Sequence, residues 1–471
     1  MSIETARPPG LNLDVAADPN DPHRDDYALS AAFVEKVVDA ADAGDAARLA
    51  ELLHELHPAD IADLMGFLTA EHRSVVVQSL PPEVLAETLP ELDDGIREQV
   101  LERVPHLTLA TALQELDSDD AAAVVEDLED DQRERVLAAM PEVDRAAIES
   151  SLGYAEDTAG RLMQREVMAA PQFWTVGDTI DHLRSQGDDL PELFFDIYVV
   201  DPVNRPIGGV PVSRLLRARR DVPLTELMEP INEIVVGQDQ EEVAYVFEKY
   251  HLISAPVVDS AGRLVGQLTV DDIVNIIQEE NREDILRLAG VSDEDRGSNV
   301  MGVVRSRIPW LVINLGTAVM ASLVIGQFAD QIEALVALAI LMPIVASIGG
   351  NAGTQALTVA VRSLASRELS AANALRIVGR EVGVGLTNGL TIGVLLAIIA
   401  GVWFGRADLS LVIGLAVLIN ILAAALAGTL IPLLLDRLDR DPAVSSPVFV
   451  SWITDVVGFL SFLGLATLIL L

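Results

Sequence analysis

The chain has 471 residues, 50% of them hydrophobic, no cysteine and a formal net charge of −40. Such a charge repels nucleic acid and anionic lipid headgroups and attracts divalent cations, so nucleic-acid binding is disfavoured. The lack of cysteine removes disulfides, thiolate metal sites and cysteine nucleophiles. The acids are unevenly spread: from Ser306 onward 9 Asp and Glu face 8 Lys and Arg, leaving 63 and 24 before it. A strongly acidic, soluble portion therefore precedes a nearly neutral, apolar one. Two lysines against thirty arginines point to a compositional bias, and part of the bulk acidity fits adaptation to salt. Acids clustered at particular places must carry any functional argument.

Residues 1–27 are polar and proline-rich without an apolar core, which reads as a disordered tail rather than a signal peptide. Residues 28–160 read as an all-α superhelical domain. Apolar positions recur at three- and four-residue spacing in stretches such as "DAARLAELLHEL" and "SDDAAAVVEDL", and Pro58, Pro81 and Pro82 mark helix starts. The acids that open these helices fit the N-terminal end of the helix dipole.

Residues 161–277 contain a repeat. "YVVDPVNRPIGGVPVSRLL" (198–216) returns as "PVVDSAGRLVGQLTVDDIV" (256–274), aligning Asp201 with Asp259, Arg205 with Arg263 and Gly208 with Gly266 at a spacing of 58. Upstream, 167–179 matches 227–239 at a spacing of 60. Each unit reads as strand, turn at Asp and Gly, strand, helix, and the duplication marks a tandem α/β module. It resembles a pair of CBS domains, modules that sense adenine nucleotides or other small ligands for an attached enzyme or channel. No phosphate loop, G-x-S-x-G or H-E-x-x-H occurs, and no nucleophile, base and electrophile come together, so catalysis is the least favoured class.

Residues 278–305 form a connecting helix and linker. Glu280, Glu283 and Asp284 fall at i, i+3 and i+4 and share one helical face, where like charges cost tenths of a kcal/mol per pair unless neutralised. Either this is a solvated acidic face, or bound cations hold it against other acids just before the first span.

Residues 306–471 hold five apolar segments, about 308–328, 334–360, 382–404, 409–435 and 448–471, each long enough for a hydrocarbon layer of about 30 Å. Arg305 and Arg307 precede the first, Arg362, Arg367, Arg376 and Arg380 join the second to the third, and Arg437 and Arg440 join the fourth to the fifth. This asymmetry puts the acidic domains in the cytoplasm and the C-terminus outside. Trp310, Trp403 and Trp452 lie near segment ends, as interfacial anchors do. Pro343 interrupts the second segment ahead of "SIGGNAGTQ", where Gly349, Gly350 and Asn351 suit either an unwound, ion-facing stretch or a helix-packing face. Asp455 is the single ionisable side chain of the last segment. A bare carboxylate there is costly and by default functional; paired across a dimer axis it favours a divalent over a monovalent cation.

The order of domains, with "YAEDTAGRLM" (154–163), "PIVASIGGNAGTQ" (343–355) and "SWITDVVGFL" (451–460), resembles the MgtE family of magnesium channels or transporters over residue 30 to the end. The resemblance implies a homodimer, multi-pass in the plasma (inner) membrane, that conducts Mg²⁺ inward and closes when cytosolic Mg²⁺ is high. It implies that Asp455 meets the hydrated ion, which keeps much of its water because Mg²⁺ dehydrates reluctantly, and that Gly349, Gly350 and Asn351 shape the same pore. It further implies regulatory metal ligands at Asp119, Asp239, Glu241, Asp272, Glu280, Glu283 and Asp284, and ATP as a ligand of the CBS pair. Ala123, His251 and Asn275 depart from the acids expected at their positions, so fewer, weaker or displaced sensing sites follow. Alternatives are transport of Co²⁺ or Mn²⁺, which carboxylates and carbonyls do not exclude by affinity order, a counter-ion-coupled transporter, and a non-conducting nucleotide sensor.

Overall fold

The computed structural model describes residues 29–54, 56–186, 190–191, 193–291, 300–367, 369, 373–438 and 440–470. The tail at 1–27 and the linker residues 292–299 lie outside the described residues. The chain divides into two compact units at Ile277 and Gln278.

Among the described residues, the first unit opens with ten helices: α1 (Ala31–Asp42), α2 (Ala46–Leu53), α3 (Pro58–Phe67), α4 (Ala70–Ser79), α5 (Pro82–Thr88), α6 (Asp94–Leu101), α7 (His106–Ala112), α8 (Ser118–Glu126), α9 (Asp130–Ala139) and α10 (Glu142–Ser151). Polar side chains cap several starts: Phe33 N donates to Ser30 Oγ (3.2 Å) and Arg48 N to Asp45 Oδ1 (3.0 Å). Pro58 and Pro82 open α3 and α5, where a missing N–H costs nothing. Helices two apart in sequence pack together, α3 on α5, α5 on α7, α7 on α9, and α2 on α4, α4 on α6. That alternation is the expected superhelix. Its core runs without a break from Leu29 to Ile148 through Leu49, Leu64, Leu109 and Val125.

The repeat folds as twins. After α11 (Ala159–Leu162) come β1 (Ala169–Pro171), α12 (Val176–Gln186), β2 (Asp196–Val200), β3 (Pro206–Pro211) and α13 (Val212–Leu215). Then follow α14 (Leu224–Leu227), β4 (Ile234–Val235), α15 (Gln240–Tyr250), β5 (Ser254–Val258), β6 (Leu264–Thr269) and α16 (Val270–Leu288). Two sheets of order β1-β2-β3 and β4-β5-β6 each have a parallel and an antiparallel pair, with a register shift after Val199 in one and after Val257 in the other. The turns match as well: Asp201 Oδ1 accepts from Val203 N and Arg205 N, and Asp259 Oδ1 from Ala261 N and Arg263 N. The two units meet at equivalent positions, with Ser254 Oγ donating to Asp196 Oδ2 and lying 2.8 Å from Tyr198 Oη. They differ in the last helix. α13 has 4 residues, whereas α16 starts at the equivalent point and runs for 19.

The second unit holds α17 (Val300–Gly326), the short α18 (Ala329–Ala334), α19 (Ala337–Ala365), α20 (Ala374–Phe404), α21 (Ala407–Asp436) and α22 (Pro442–Leu470). Among the described residues five helices are long and apolar enough to cross a membrane. They overrun the apolar segments by several residues, because helices continue past the hydrocarbon into polar flanks. α21 is the central one, packed on α19, α20 and α22. Gly385, Gly389 and Gly393 bring α20 against it; a Cβ at Gly393 would lie 2.7 Å from the Gly414 carbonyl oxygen. One expectation is corrected here. Pro343 does not interrupt the second span: α19 is continuous over 29 residues. Neighbouring helices tolerate a proline inside a membrane helix, and Pro343 lies near its start.

Candidate functional site

The first candidate site lies in the first unit, where the opening turns of α8 and α16 carry acids for local reasons. Both are helix N-termini, and Asp272 Oδ2 accepts from Thr269 Oγ1 (2.7 Å). Tertiary structure then adds what the local rule does not ask for. α8 is pinned to the chain entering β1: Ser118 Oγ donates to Glu166 Oε2 and accepts from Arg165 N, both at 2.8 Å. Asp119 is 9% exposed, and its Oδ1 has no hydrogen-bond partner among the described residues. Asp117, Asp120, Asp271, Asp272 and Asn275 line a cavity of about 1120 Å³ together with Glu91.

Burial pushes the Asp119 carboxyl well above the usual carboxylate range, and the Asp272 and Asp120 charges push it further. Burial, then Asp272 and Asp117, raise Asp120 to about 7; burial, then Asp271, raises Asp272 to about 6. Desolvation is the larger cause and mutual repulsion adds to it; Arg165, on the chain entering β1, lines the same cavity. The orphaned oxygen and the acid surplus both fit a divalent cation. Among the described residues, no group of three or more acids and histidines is drawn close enough to hold a metal ion.

The pH dependence follows with a definite sign. Between the ordinary carboxylate value near 4 and the folded values of about 6 and 7, the native state holds more protons than the unfolded one. Stability of this unit in chelator therefore falls as pH rises through that window. The expected result is a melting midpoint that drops by several degrees from pH 5 to 7.5 in chelator, with added Mg²⁺ restoring more at pH 7.5 than at pH 5. Parallel curves with and without Mg²⁺ would contradict the site.

The other regulatory candidates separate from this cluster. Asp239 is exposed and caps α15, its Oδ1 accepting from Glu241 N (2.9 Å), and neither residue lines the cavity. Of the three departures, Asn275 lines the acidic cavity, Ala123 lies exposed on α8, and His251 ends α15 in the left-handed region at φ 54°. Asp117 and Asp120 carry no sequence signal of their own beyond the "DSDD" run that contains them, whereas Asp271 stands beside Asp272 among the acids that lead into the connecting helix.

In the second unit Glu283 meets Arg287, whose Nη1 also donates to Asp441 Oδ2 (2.6 Å). Asp441 Oδ1 in turn accepts from Ala443 N (2.7 Å), capping α22. Burial, then Asp441 and Glu280, raise the Asp284 carboxyl, and Arg287 partly offsets them. Leu288 packs beside Leu357, Val361, Ala443 and Val450. The end of α16 is thus fastened to the start of α22 by a charge pair and an apolar contact.

Asp455 lies on α22, 13 residues past Pro442 or about 20 Å of helix, and is half-buried. The glycine motif splits by face. Gly349 is buried against Asn420 of α21, where a Cβ would collide with Asn420 Nδ2, so it serves packing within the chain rather than an open surface. Gly350 has nothing within 4 Å of its Cβ position, and Asn351 is exposed. Asn420, missed from sequence, also abuts Gly458 and donates from Nδ2 to the Val345 carbonyl oxygen (3.0 Å), tying α19, α21 and α22 together.

Comparison with known proteins places these residues in a lineage. A model described as the MgtE divalent cation transporter matches residues 342–465, the MgtE intracellular N domain matches 56–157, and a CBS domain matches 225–279. The magnesium transporter MgtE of Thermus thermophilus is 35% identical over 418 residues, spanning 87% of this chain and 92% of that one. This chain belongs to the MgtE family. The Bacillus subtilis magnesium transporter MgtE is 29% identical over 87% of this chain and 91% of its own length, and the Enterococcus faecalis one 34% over 68% and 71%. A crystal structure of the cytosolic domain of the Mg²⁺ channel MgtE in complex with ATP is 34% identical, covering 52% of this chain and 99% of that one at a TM-score of 0.49. The MgtE membrane model takes in Gly349, Asn351, Asn420 and Asp455, and the N-domain model takes in Asp119. The CBS match covers only the second repeat, which carries Asp239, Glu241 and Asp272; the first repeat shows itself through its strands and turns.

Proposed function

We propose that this MgtE-family protein transports Mg²⁺ inward across the plasma membrane as a homodimer, and that Mg²⁺ held by its acidic cytosolic region closes the pathway. Mg²⁺ transport is the function borne by the family name. The gating part is supported by one observation above others: Asp119 is buried with an oxygen that has no hydrogen-bond partner among the described residues, Asp120 and Asp272 are half-buried near it, and the Asp272 charge raises the carboxyls of both others. Without a cation the carboxylates of α8 and α16 repel; with Mg²⁺ among them the same charges attract through it. Occupancy therefore biases α8 and α16 toward apposition, a population shift set by the difference in Mg²⁺ affinity between two arrangements. α16 is one helix from Val270 to Leu288, and Arg287 and Leu288 at its end grip the start of α22, the helix of Asp455. At that joint Arg287 is a fixed positive charge, so Glu283 and Asp441 are held together without an added cation.

In the membrane, Asp455 supplies the negative charge of the pathway, and the open face of Gly350 and Asn351 on α19 lines the same pathway. The polar pin Asn420 and Gly349 hold the helices that carry them. Asp239 and Glu241, exposed at the start of α15, form a separate and weaker site. ATP is proposed for the CBS pair on the module type alone.

Uptake of Mg²⁺, Co²⁺ and Mn²⁺ into vesicles at matched concentrations, singly and in competition, tests the ion. Mg²⁺ uptake exceeding the others is the expected result. Equal or greater uptake of Co²⁺ or Mn²⁺ would make the protein a general divalent transporter.

A further inference from the structure

The superhelix repeats one local device. An arginine early in a helix reaches back to carbonyls at the end of the helix before it or in the turn just past that end: Arg73 Nε to Met65 O (2.7 Å), Arg133 Nε to Val125 O (3.1 Å), and Arg97 Nη1 toward Pro90 O and Leu92 O. Two of the three also face carboxylates, Arg97 those of Asp94 and Asp127 and Arg133 that of Asp130. Arg73 breaks the pattern. Its Nη1 goes to Gln99 Oε1 (2.9 Å), and the charge beside it is another guanidinium, Arg103, which reaches the Ala70 carbonyl oxygen. Neither arginine has a carboxylate within ion-pair distance among the described residues. Burial, then Arg103, lowers the Arg73 pKa from its ordinary value, the mark of a positive charge short of a partner. In a protein with 72 acids and 32 bases, two neighbouring arginines without an acid are out of keeping with the surface around them.

Both guanidiniums line a cavity of about 170 Å³ whose walls are otherwise mainly apolar, from Val77, Leu85, Val100 and Val104. Its volume is close to the ~150 Å³ at which an apolar cavity holds a benzene ring. A guanidinium fork recognises a carboxylate through paired hydrogen bonds, and Arg73 and Arg103 each keep N–H groups beyond those spent on carbonyls.

We propose that this cavity in the helical domain binds a small organic carboxylate, its apolar body among the valines and Leu85 and its charge on Arg73 and Arg103. Such a ligand would neutralise the pair and tie α4 to α6 and the turn that follows it, joining neighbouring layers of the superhelix. Benzoate is the probe. Calorimetric titration of the full-length, detergent-solubilised protein should show saturable benzoate binding. Benzyl alcohol, which lacks the charge, and inorganic phosphate, which lacks the apolar body, should each bind at least about tenfold more weakly. Arg103→Gln is the test variant, because Arg103 is exposed whereas Arg73 also ends a helix. It should weaken benzoate at least about tenfold and abolish the benzoate-induced rise in melting midpoint that the unaltered protein shows. No saturable benzoate binding, equal binding by Arg103→Gln, or phosphate binding as tightly as benzoate would each overturn the proposal.

Discussion

Asp455→Asn should reduce Mg²⁺ flux at least about tenfold while the protein still folds and still assembles. Asparagine matches aspartate in shape, so packing around half-buried Asp455 on α22 is kept and only the charge goes. The charge matters because a divalent ion at about 5 Å from one carboxylate gains about 6 to 7 kcal/mol at an effective dielectric of 20, and a monovalent ion half of that. Desolvation offsets much of this, yet the preference for two charges over one survives, and a second carboxylate across a dimer axis would double it. A tenfold loss corresponds to about 1.4 kcal/mol, a modest part of that interaction. Flux in reconstituted vesicles is the readout, with gel filtration checking assembly. Unchanged flux in a well-folded variant would remove Asp455 from the pathway.

The second large effect is expected at the sensor. Asp119→Asn combined with Asp272→Asn should make flux insensitive to Mg²⁺ on the side of the acidic domains. Two changes are superimposed. Amides no longer repel, so the stability of the first unit in chelator should lose much of its dependence on pH between about 4 and 7, keeping the part that burial of Asp120 contributes; they also no longer attract Mg²⁺, so little draws α8 to α16 as the ion rises. The second change governs the gate, because neutral amides have no charge for Mg²⁺ to bridge, and the variant should conduct at Mg²⁺ concentrations that close the unaltered protein. If each carboxylate contributes about 1.4 kcal/mol to ion binding, each single variant should raise the half-closing concentration about tenfold. Normal closure in the double variant would move the sensor elsewhere, and Asp239 with Glu241 would be next to examine.

Much of the architecture was legible because its signals are long or repeated. Five apolar runs announce spans whatever packs around them, and the 58-residue repeat predicted strands β2 and β3 and their counterparts β5 and β6. Features set by distant partners were not legible. Arg287 reads as one more charge on an acidic helix until Asp441, 154 residues away, is beside it. Asn420 reads as a polar residue in an apolar run until it lies between Gly349 and Gly458. Pro343 misled for a related reason: a proline's local cost is fixed by the chain, but its tolerance depends on helices that sequence does not display. The acids show the converse. Asp119 and Asp239 look alike as acids at helix starts, and burial alone separates a carboxylate with an orphaned oxygen from an exposed cap.

In the proposed function a single chain carries both a Mg²⁺ pathway and the sensor that closes it. The most direct test is Mg²⁺ flux through the purified full-length protein in vesicles, with Mg²⁺ varied only on the side bearing the acidic domains and Asp455→Asn as the control. Flux that falls steeply as domain-side Mg²⁺ rises, and is nearly absent in the control, is the predicted result. Flux that ignores domain-side Mg²⁺, or that is absent from the folded, assembled protein even when that side is free of Mg²⁺, would contradict it.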